Sequence, residues 1–212
     1  FNSIKLSVYT ALIGSIVIFF GAYLVEKGRG FQFGRNTFHA IAMVPLAVPG
    51  MALGLAYIFF FNNPNNPLNF VYGTMGILVI STITHFYTVS HLTATTALKQ
   101  MDPEFESVSA SLKTPFFRSF QKITLPICIP AILDISVYLF LNAMTTVSAV
   151  IFLYSANTRL ASIAVLNMDD QGELAMAAAM AMMIAYTCGA VRLLYAIGSK
   201  SLIIRTQKWR DK

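Results

Sequence analysis

Five long apolar runs set the hydropathy pattern of the chain, at residues 6–24, 40–61, 74–98, 127–153 and 174–198. Each is close to the roughly 20 residues a helix needs to cross a hydrocarbon core about 30 Å thick. The pattern predicts an all-α polytopic membrane bundle of five spans. The second run holds Pro45, Pro49, Gly50 and Gly54, which predicts a bend near its middle, either a gate hinge or a static kink. The fifth repeats small residues at Ala177, Ala181, Ala185 and Gly189. That row, like Gly50 and Gly54, reads as a surface for close helix packing.

The third run is unusually polar. Ser81, His85, Thr88, His91 and Thr95 recur every three or four residues and so share a helix face. The fourth run has a matching stripe of Asp134, Tyr138, Asn142 and Thr145. Polar groups in a bilayer face a water-filled path or a neighbouring helix. Two readings stay open: Ser81, His85, Thr88, Asn142 and Thr145 line a translocation path, or the stripes hydrogen-bond helices together. Asp134, near one end of its run, could pair with a basic residue there.

One polar interval breaks the rhythm. Residues 102–126, DPEFESVSASLKTPFFRSFQKITLP, are charged, bracketed by proline and patterned like helices. Asp102-Pro103 reads as an N-cap with proline at the first helical position. Phe105, Val108 and Leu112 then share a face. Thr114-Pro115 repeats the start, with Phe116, Phe120 and Ile123 on one side and Arg118, Gln121 and Lys122 on the other. The interval is expected to form two short helices ending at Leu125-Pro126. They either rest on lipid headgroups or dock into a partner's groove.

Composition and charge narrow the class. Hydrophobic residues make up 56% of the chain and charged residues only 11%, against about a quarter charged in soluble domains. The net charge of +6 is not a nucleic-acid signature, because its location follows the membrane. Lys27, Arg29, Arg35, Lys99, Lys113, Arg118, Lys122, Lys200, Arg205, Lys208, Arg210 and Lys212 fall on one side of a five-span topology, and only Lys5 and Arg159 on the other. The positive-inside rule then places the N-terminus outside and the C-terminus in the cytoplasm, with residues 102–126 as a cytoplasmic loop. Of the outer loops, residues 62–72 are uncharged, and residues 167–173 (NMDDQGE) offer Asp169 or Asp170 either as a cap for the fifth helix or as a contact for an external partner. Arg192 lies within the fifth run.

Little suggests reaction chemistry. Cys128 and Cys188 sit in apolar runs without a Cys/His cluster and read as buried apolar residues, not a disulfide or metal site. There is no phosphate-cradling glycine loop and no nucleophile paired with a base, so no enzymatic activity and no cofactor is expected. The chain opens at Phe1 without a basic region or small-residue cleavage site. No signal peptide is therefore expected, and the chain reads as part of a longer polypeptide.

The loop resembles the EAA motif of permease subunits of ATP-binding-cassette importers. That motif runs Glu-Ala-Ala, three residues, Gly, nine residues, Ile, one residue, Leu-Pro. Ile123-Thr124-Leu125-Pro126 matches its end, Arg118 and Phe120 its middle, and Asp102-Pro103 a common lead-in. Two positions depart from it: the triplet reads Ser107-Val108-Ser109, with Glu106 one residue early, and the glycine is Lys113. VPLAVPGMALGLAYIFF, residues 44–60, is similar to the second core helix of the same permeases. The resemblance implies the type I importer membrane fold and a coupling role for the loop. Phe105, Glu106, Val108, Leu112, Lys113, Phe117 and Arg118 would then contact an ATPase subunit. It also implies an ATPase dimer, a second permease unit and an extracytoplasmic substrate-binding protein as partners, in a bacterial inner membrane. The wording ESVSASLK and AILDISVYLFLNAMTTVSAV is similar to permeases for 2-aminoethylphosphonate, themselves close to ferric-iron importers. That implies a phosphonate substrate, with ferric iron or a polyamine as the alternative, and residues 1–212 as the C-terminal of two units. A secondary transporter, which needs ionisable residues deep in the membrane, and a purely structural subunit are the rivals from other classes.

Overall fold

The computed structural model describes residues 1–28, 32–102 and 104–206, without the side chains of Glu106, Ala110 and residues 200–206. Pro103, Arg29, Lys208, Arg210 and Lys212 lie outside the described residues, as do the side chains of Lys200 and Arg205. The described chain is helical: α1 (Asn2–Lys27), α2 (Gln32–Ala47), α3 (Gly50–Phe61), α4 (Met75–His85), α5 (Tyr87–Lys99), α6 (Glu104–Ser111), α7 (Phe116–Ser119), α8 (Leu125–Thr145), α9 (Ala161–Asp170) and α10 (Leu174–Thr206). Three stretches are single helices long and apolar enough to cross a membrane: Asn2–Lys27, Phe116–Thr145 and Leu174–Ser199. The pairs α2–α3 and α4–α5 meet the same criterion as broken spans, bent by 110° and 57°, which gives up to five.

Both bends have local causes. In α2 the ring of Pro45 removes an N–H inside the helix, and Pro49 starts α3 from an extended backbone of φ −57° and ψ 138°. A residue before proline is driven out of the helical region, so the helix stops at Ala47. In α4 the hydroxyls of Thr82 and Thr84 donate back to the carbonyls of Leu78 and Ile80, at 2.7 and 2.9 Å. Such back-bonding bends helices, and Phe86 completes the break at φ −98° and ψ 12°.

The helices enclose two apolar clusters around α1, one near each end. At the end with the α6–α7 loop, Ile18, Phe19, Ala22 and Tyr23 of α1 meet Ala94 and Leu98 of α5 and Cys128, Ile135 and Leu139 of α8. Gly14 permits the α1–α8 approach, since a methyl group there would lie 2.7 Å from Leu139 Cδ1. At the opposite end Leu6 packs with Ile77, Leu78, Ala149, Val150, Leu153, Leu160 and Ile163. The Asn2 side chain donates to the carbonyls of Asn157 and Arg159 there, and Ser3 Oγ accepts the Ala161 N–H.

Three boundaries differ from the sequence expectation. The fourth apolar run does not continue as a span to residue 153. Thr146 turns extended at φ −63° and ψ 138°, and residues 147–154 form tight turns closed by hydrogen bonds such as Tyr154 N–H to the Val150 carbonyl. They are apolar because Ala149, Val150 and Leu153 are buried in the protein. Hydropathy does not distinguish that burial from burial in lipid. The second difference is α9, which occupies much of a stretch expected to be a loop. Asp169 and Asp170 end α9 and do not cap α10, and it is the Glu173 carbonyl that accepts the Ala177 N–H at the start of α10.

The third difference lies at Leu125-Pro126, where no break occurs. Phe116–Thr145 is continuous, because Phe120–Thr124 adopts a π-helical turn. The Leu125 N–H reaches back to the Phe120 carbonyl, five residues away. Pro126 has no N–H to offer the next carbonyl, so the wider turn absorbs its missing bond.

Candidate functional site

Geometry divides the loop into a braced side and an open side. Asp102 caps α6 as expected, its Oδ1 accepting the Glu104 N–H at 2.9 Å. Phe105 is half-buried, and Ser109 is only 9% exposed. Val108 and Leu112 project outward at 57% and 70% exposure. The predicted face of Phe105, Val108 and Leu112 is therefore split, because α6 turns its Phe105–Ser109 side to the bundle. On α7, Phe117 and Arg118 are exposed. Phe116 and Phe120 pack at a tilt against Tyr23 of α1, with ring centroids 4.8 and 4.6 Å from it. Tyr23 is the residue missed from sequence. Its signal was the aromatic spacing of Phe19, Phe20 and Tyr23 along α1. The Glu106 side chain lies outside the described residues.

Lys113 forms the joint between the two helices. Its φ of +51° is the one positive value at a non-glycine residue among the described residues. The Thr114 N–H closes back on the Ser109 carbonyl at 3.0 Å. This six-residue return with a left-handed residue before it is a Schellman turn, where glycine is the usual occupant. The bend is thus made at Lys113, and Pro115 follows it as the N-cap of α7.

The polar stripe of α4 and α5 is largely bonded inside the protein. Ser81 Oγ donates to the Ala149 carbonyl at 2.7 Å, and Thr88 Oγ1 to the Ala42 carbonyl at 2.8 Å, both fully buried. Thr95 bonds back to the Leu92 carbonyl. His91 Nε2 lies 3.2 Å from His39 Nδ1 on α2, with the Tyr87 ring stacked beside it. On α8, Asn142 donates to the Tyr138 carbonyl at 2.8 Å, and the exposed Thr145 to the Leu141 carbonyl at 3.1 Å. Asp134 pairs with no basic residue among the described ones. Its Oδ1 accepts the Tyr195 hydroxyl of α10 at 2.5 Å, and the Arg192 guanidinium lies over that ring.

His85 occupies a different setting, where both helix breaks meet the end of α8. A methyl group added to Gly50 would lie 2.5 Å from Ser148 Oγ and 3.0 Å from His85 Cε1. The buried Nδ1 of His85 makes no hydrogen bond among the described residues. Next to this convergence Tyr57 of α3 donates to Thr84 Oγ1 at 2.9 Å. A cavity of about 940 Å³ opens between α5 and α8, and its lining includes Thr93, Gln100, Asp102, Phe105 and Asp134. Cys128 is buried with its thiol 3.6 Å from Met101 Sδ, and Cys188 is half-buried; neither forms a disulfide.

The comparisons with known proteins agree with this architecture. Residues 17–203 match the family of binding-protein-dependent transport system inner membrane components. A ferric transport system permease protein of Actinobacillus pleuropneumoniae is 36% identical over 170 residues, covering 80% of this chain and 23% of the relative. A putative ferric transport system permease of Haemophilus influenzae is 37% identical over 155 residues, covering 72% of this chain and 24% of the relative. A probable sulfate transport system permease of Helicosporidium is 30% identical over 142 residues, or 62% of this chain and 51% of the relative. The match therefore spans about a quarter of each ferric relative. With its helical bundle, two broken spans and polar loop ahead of α8, this chain belongs to the binding-protein-dependent transport system inner membrane components.

Proposed function

We propose that the chain is one permease unit of an ATP-binding-cassette importer that takes up ferric iron, driven by a separate ATPase subunit. The observation that carries this reading is the loop's open side. Val108, Leu112 and Phe117 expose apolar surface on two short helices, while Phe116 and Phe120 brace the second helix on Tyr23. A rigid scaffold presenting an apolar helix face fits the helix-in-groove mode of docking. Lys113 and Arg118 beside it supply charge for orientation. On this reading the loop end of the bundle is cytoplasmic. Residues 1–212 form one membrane domain, the second of two such units, which meets an ATPase dimer on one side of the inner membrane and a substrate-binding protein on the other.

For the cargo, the ferric names of two of the relatives favour ferric iron over the 2-aminoethylphosphonate suggested by the wording of the loop. For the route, we place the path beside His85, Ser148, Asn142 and Thr145, where α3, α4 and α8 all end or break. Broken helices mark binding sites in other membrane transporters. Ser81 and Thr88 border this path as helix-to-helix ties.

The test is uptake by proteoliposomes holding the full-length chain, its ATPase and its binding protein. Import of radiolabelled Fe³⁺, with no import of 2-aminoethylphosphonate, is expected. The reverse preference would overturn the cargo, and import unaffected by Leu112→Asp would overturn the docking.

A further inference from the structure

We propose that Ser109 is a positioning residue of the coupling loop. Its hydroxyl, tied to those of Thr114 and Ser119, locks α6 and α7 into one body, so that a push on the open face of α6 reaches α8. The inference rests on the docking role proposed above and concerns how that role is built into this chain.

α6, of eight residues, is not held by its own length, being well below that at which isolated helices persist, whereas α7 is the first turn of the continuous helix Phe116–Thr145. The turn between them is the weakest joint, because Lys113 occupies a left-handed conformation that an L side chain adopts only at a cost. A cavity of about 110 Å³ lies behind the turn, with Tyr23, Phe105, Ser109, Thr114, Ser119 and Ile123 in its wall. Packing of α6 onto α1 is therefore incomplete at that point.

Ser109 bridges this joint with both its side chain and its main chain. Ser109 Oγ lies 2.5 Å from Thr114 Oγ1 and within hydrogen-bond contact of Ser119 Oγ. Thr114 Oγ1 closes the ring at 3.2 Å from Ser119 Oγ. The Ser109 carbonyl accepts both the N–H and the hydroxyl of Thr114, at 3.0 and 2.9 Å. Each hydroxyl can donate once and accept twice; with the Thr114 proton on the Ser109 carbonyl, the Ser109 and Ser119 protons serve two of the three hydroxyl contacts at a time, and the members of the set polarise one another. From Ser119 the helix passes straight into the π-turn and α8. Ser109 and Lys113 are also the two loop positions in this turn that depart from the EAA pattern. The hydroxyl set supplies stiffness at the joint where Lys113 introduces strain.

The experiment measures ATP hydrolysed per Fe³⁺ imported, in proteoliposomes with the full-length chain, its ATPase and its binding protein. Removing one member of the set forfeits hydrogen bonds and leaves partners unmatched, so Ser109→Ala is expected to raise this ratio about fivefold. Ser109→Thr keeps the hydroxyl, and its extra methyl group fits the cavity, so the ratio should return to within about twofold of the parent. Lys113→Gly alone should stay within about twofold, and the Ser109→Ala/Lys113→Gly pair should fall below the product of the singles, because glycine relieves the strain that the hydroxyl set holds. An unchanged ratio in Ser109→Ala, or singles that simply multiply, would overturn the proposal. If Ser109→Ala fails to insert, Thr114→Val takes its place: a raised ratio supports the lock and an unchanged one removes it. Leu112→Asp separates the two levels. If it leaves uptake intact, the docking role itself fails. If it abolishes uptake while Ser109→Ala keeps the parental ratio, only the lock fails.

Discussion

The α6–α7 loop and the α4–α5 pair invert each other's chemistry. The loop, polar in sequence and joined to an apolar bundle, turns Val108, Leu112 and Phe117 outward. The α4–α5 pair, set among apolar spans, buries Ser81, Thr88 and His91 completely. In a bilayer a buried hydroxyl is stable once it finds a carbonyl, as Ser81 and Thr88 do. At the loop, an uncovered apolar group is tolerated because a few residues expose little area, and it becomes useful when a partner covers it. In this molecule exposure, and not polarity, separates the proposed docking surface from the ties within the fold.

Four substitutions test that contrast, starting with the largest expected effect. Leu112→Asp puts a charge in the surface proposed to be covered by the ATPase. It should reduce Fe³⁺ uptake by more than about tenfold, since an unpaired charge buried in an interface costs several kcal/mol. Co-purification of the ATPase subunit should fall with it, while insertion of the chain is unchanged. Gly50→Val strikes where the two breaks meet. Its branched side chain would overlap Ser148 Oγ and His85 Cε1, at a cost of about 1–3 kcal/mol, visible as a lower melting temperature in detergent.

Thr88→Val distinguishes a tie from a path-lining group. Losing one interhelical bond should cost about 1 kcal/mol of stability and leave uptake per folded molecule near parental. A tenfold loss of uptake without loss of stability would instead place Thr88 on the path. Lys113→Gly has the smallest effect, a gain of about 0.5–1 kcal/mol in resistance of the loop to proteolysis, as the left-handed strain is relieved. Equal protease sensitivity in the two proteins would show that the turn is not strained.

Much of this is legible in the sequence. The class, the approximate spans, the bend at Pro49-Gly50 and the Asp102 cap all follow from local rules that tertiary contacts did not override. The candidate site was legible only in outline. Spacing put Phe105, Val108 and Leu112 on one face, but packing turned Phe105 inward and left the other two exposed. Spacing also aligned Ser81 with His85. One hydroxyl meets the Ala149 carbonyl and the ring beside it faces Gly50 and Ser148, because residues 146–153 fold back into the bundle. No local signal announced that return.

The sequence alone determined that this chain lives in a membrane and where its polar loop interrupts the spans. Those properties depend on transfer free energies and charge counts that sum along the chain without regard to neighbours. Only the tertiary structure decided that residues 147–154 are a buried turn, that Leu125-Pro126 lies inside a continuous helix, and that Lys113 bends left-handed against a ring of hydroxyls. Apolar side chains gain nearly the same free energy in lipid as in a protein core, and a backbone turn is set by which distant groups are available to close it. Both depend on what lies beside a residue in space, which its neighbours in sequence do not specify.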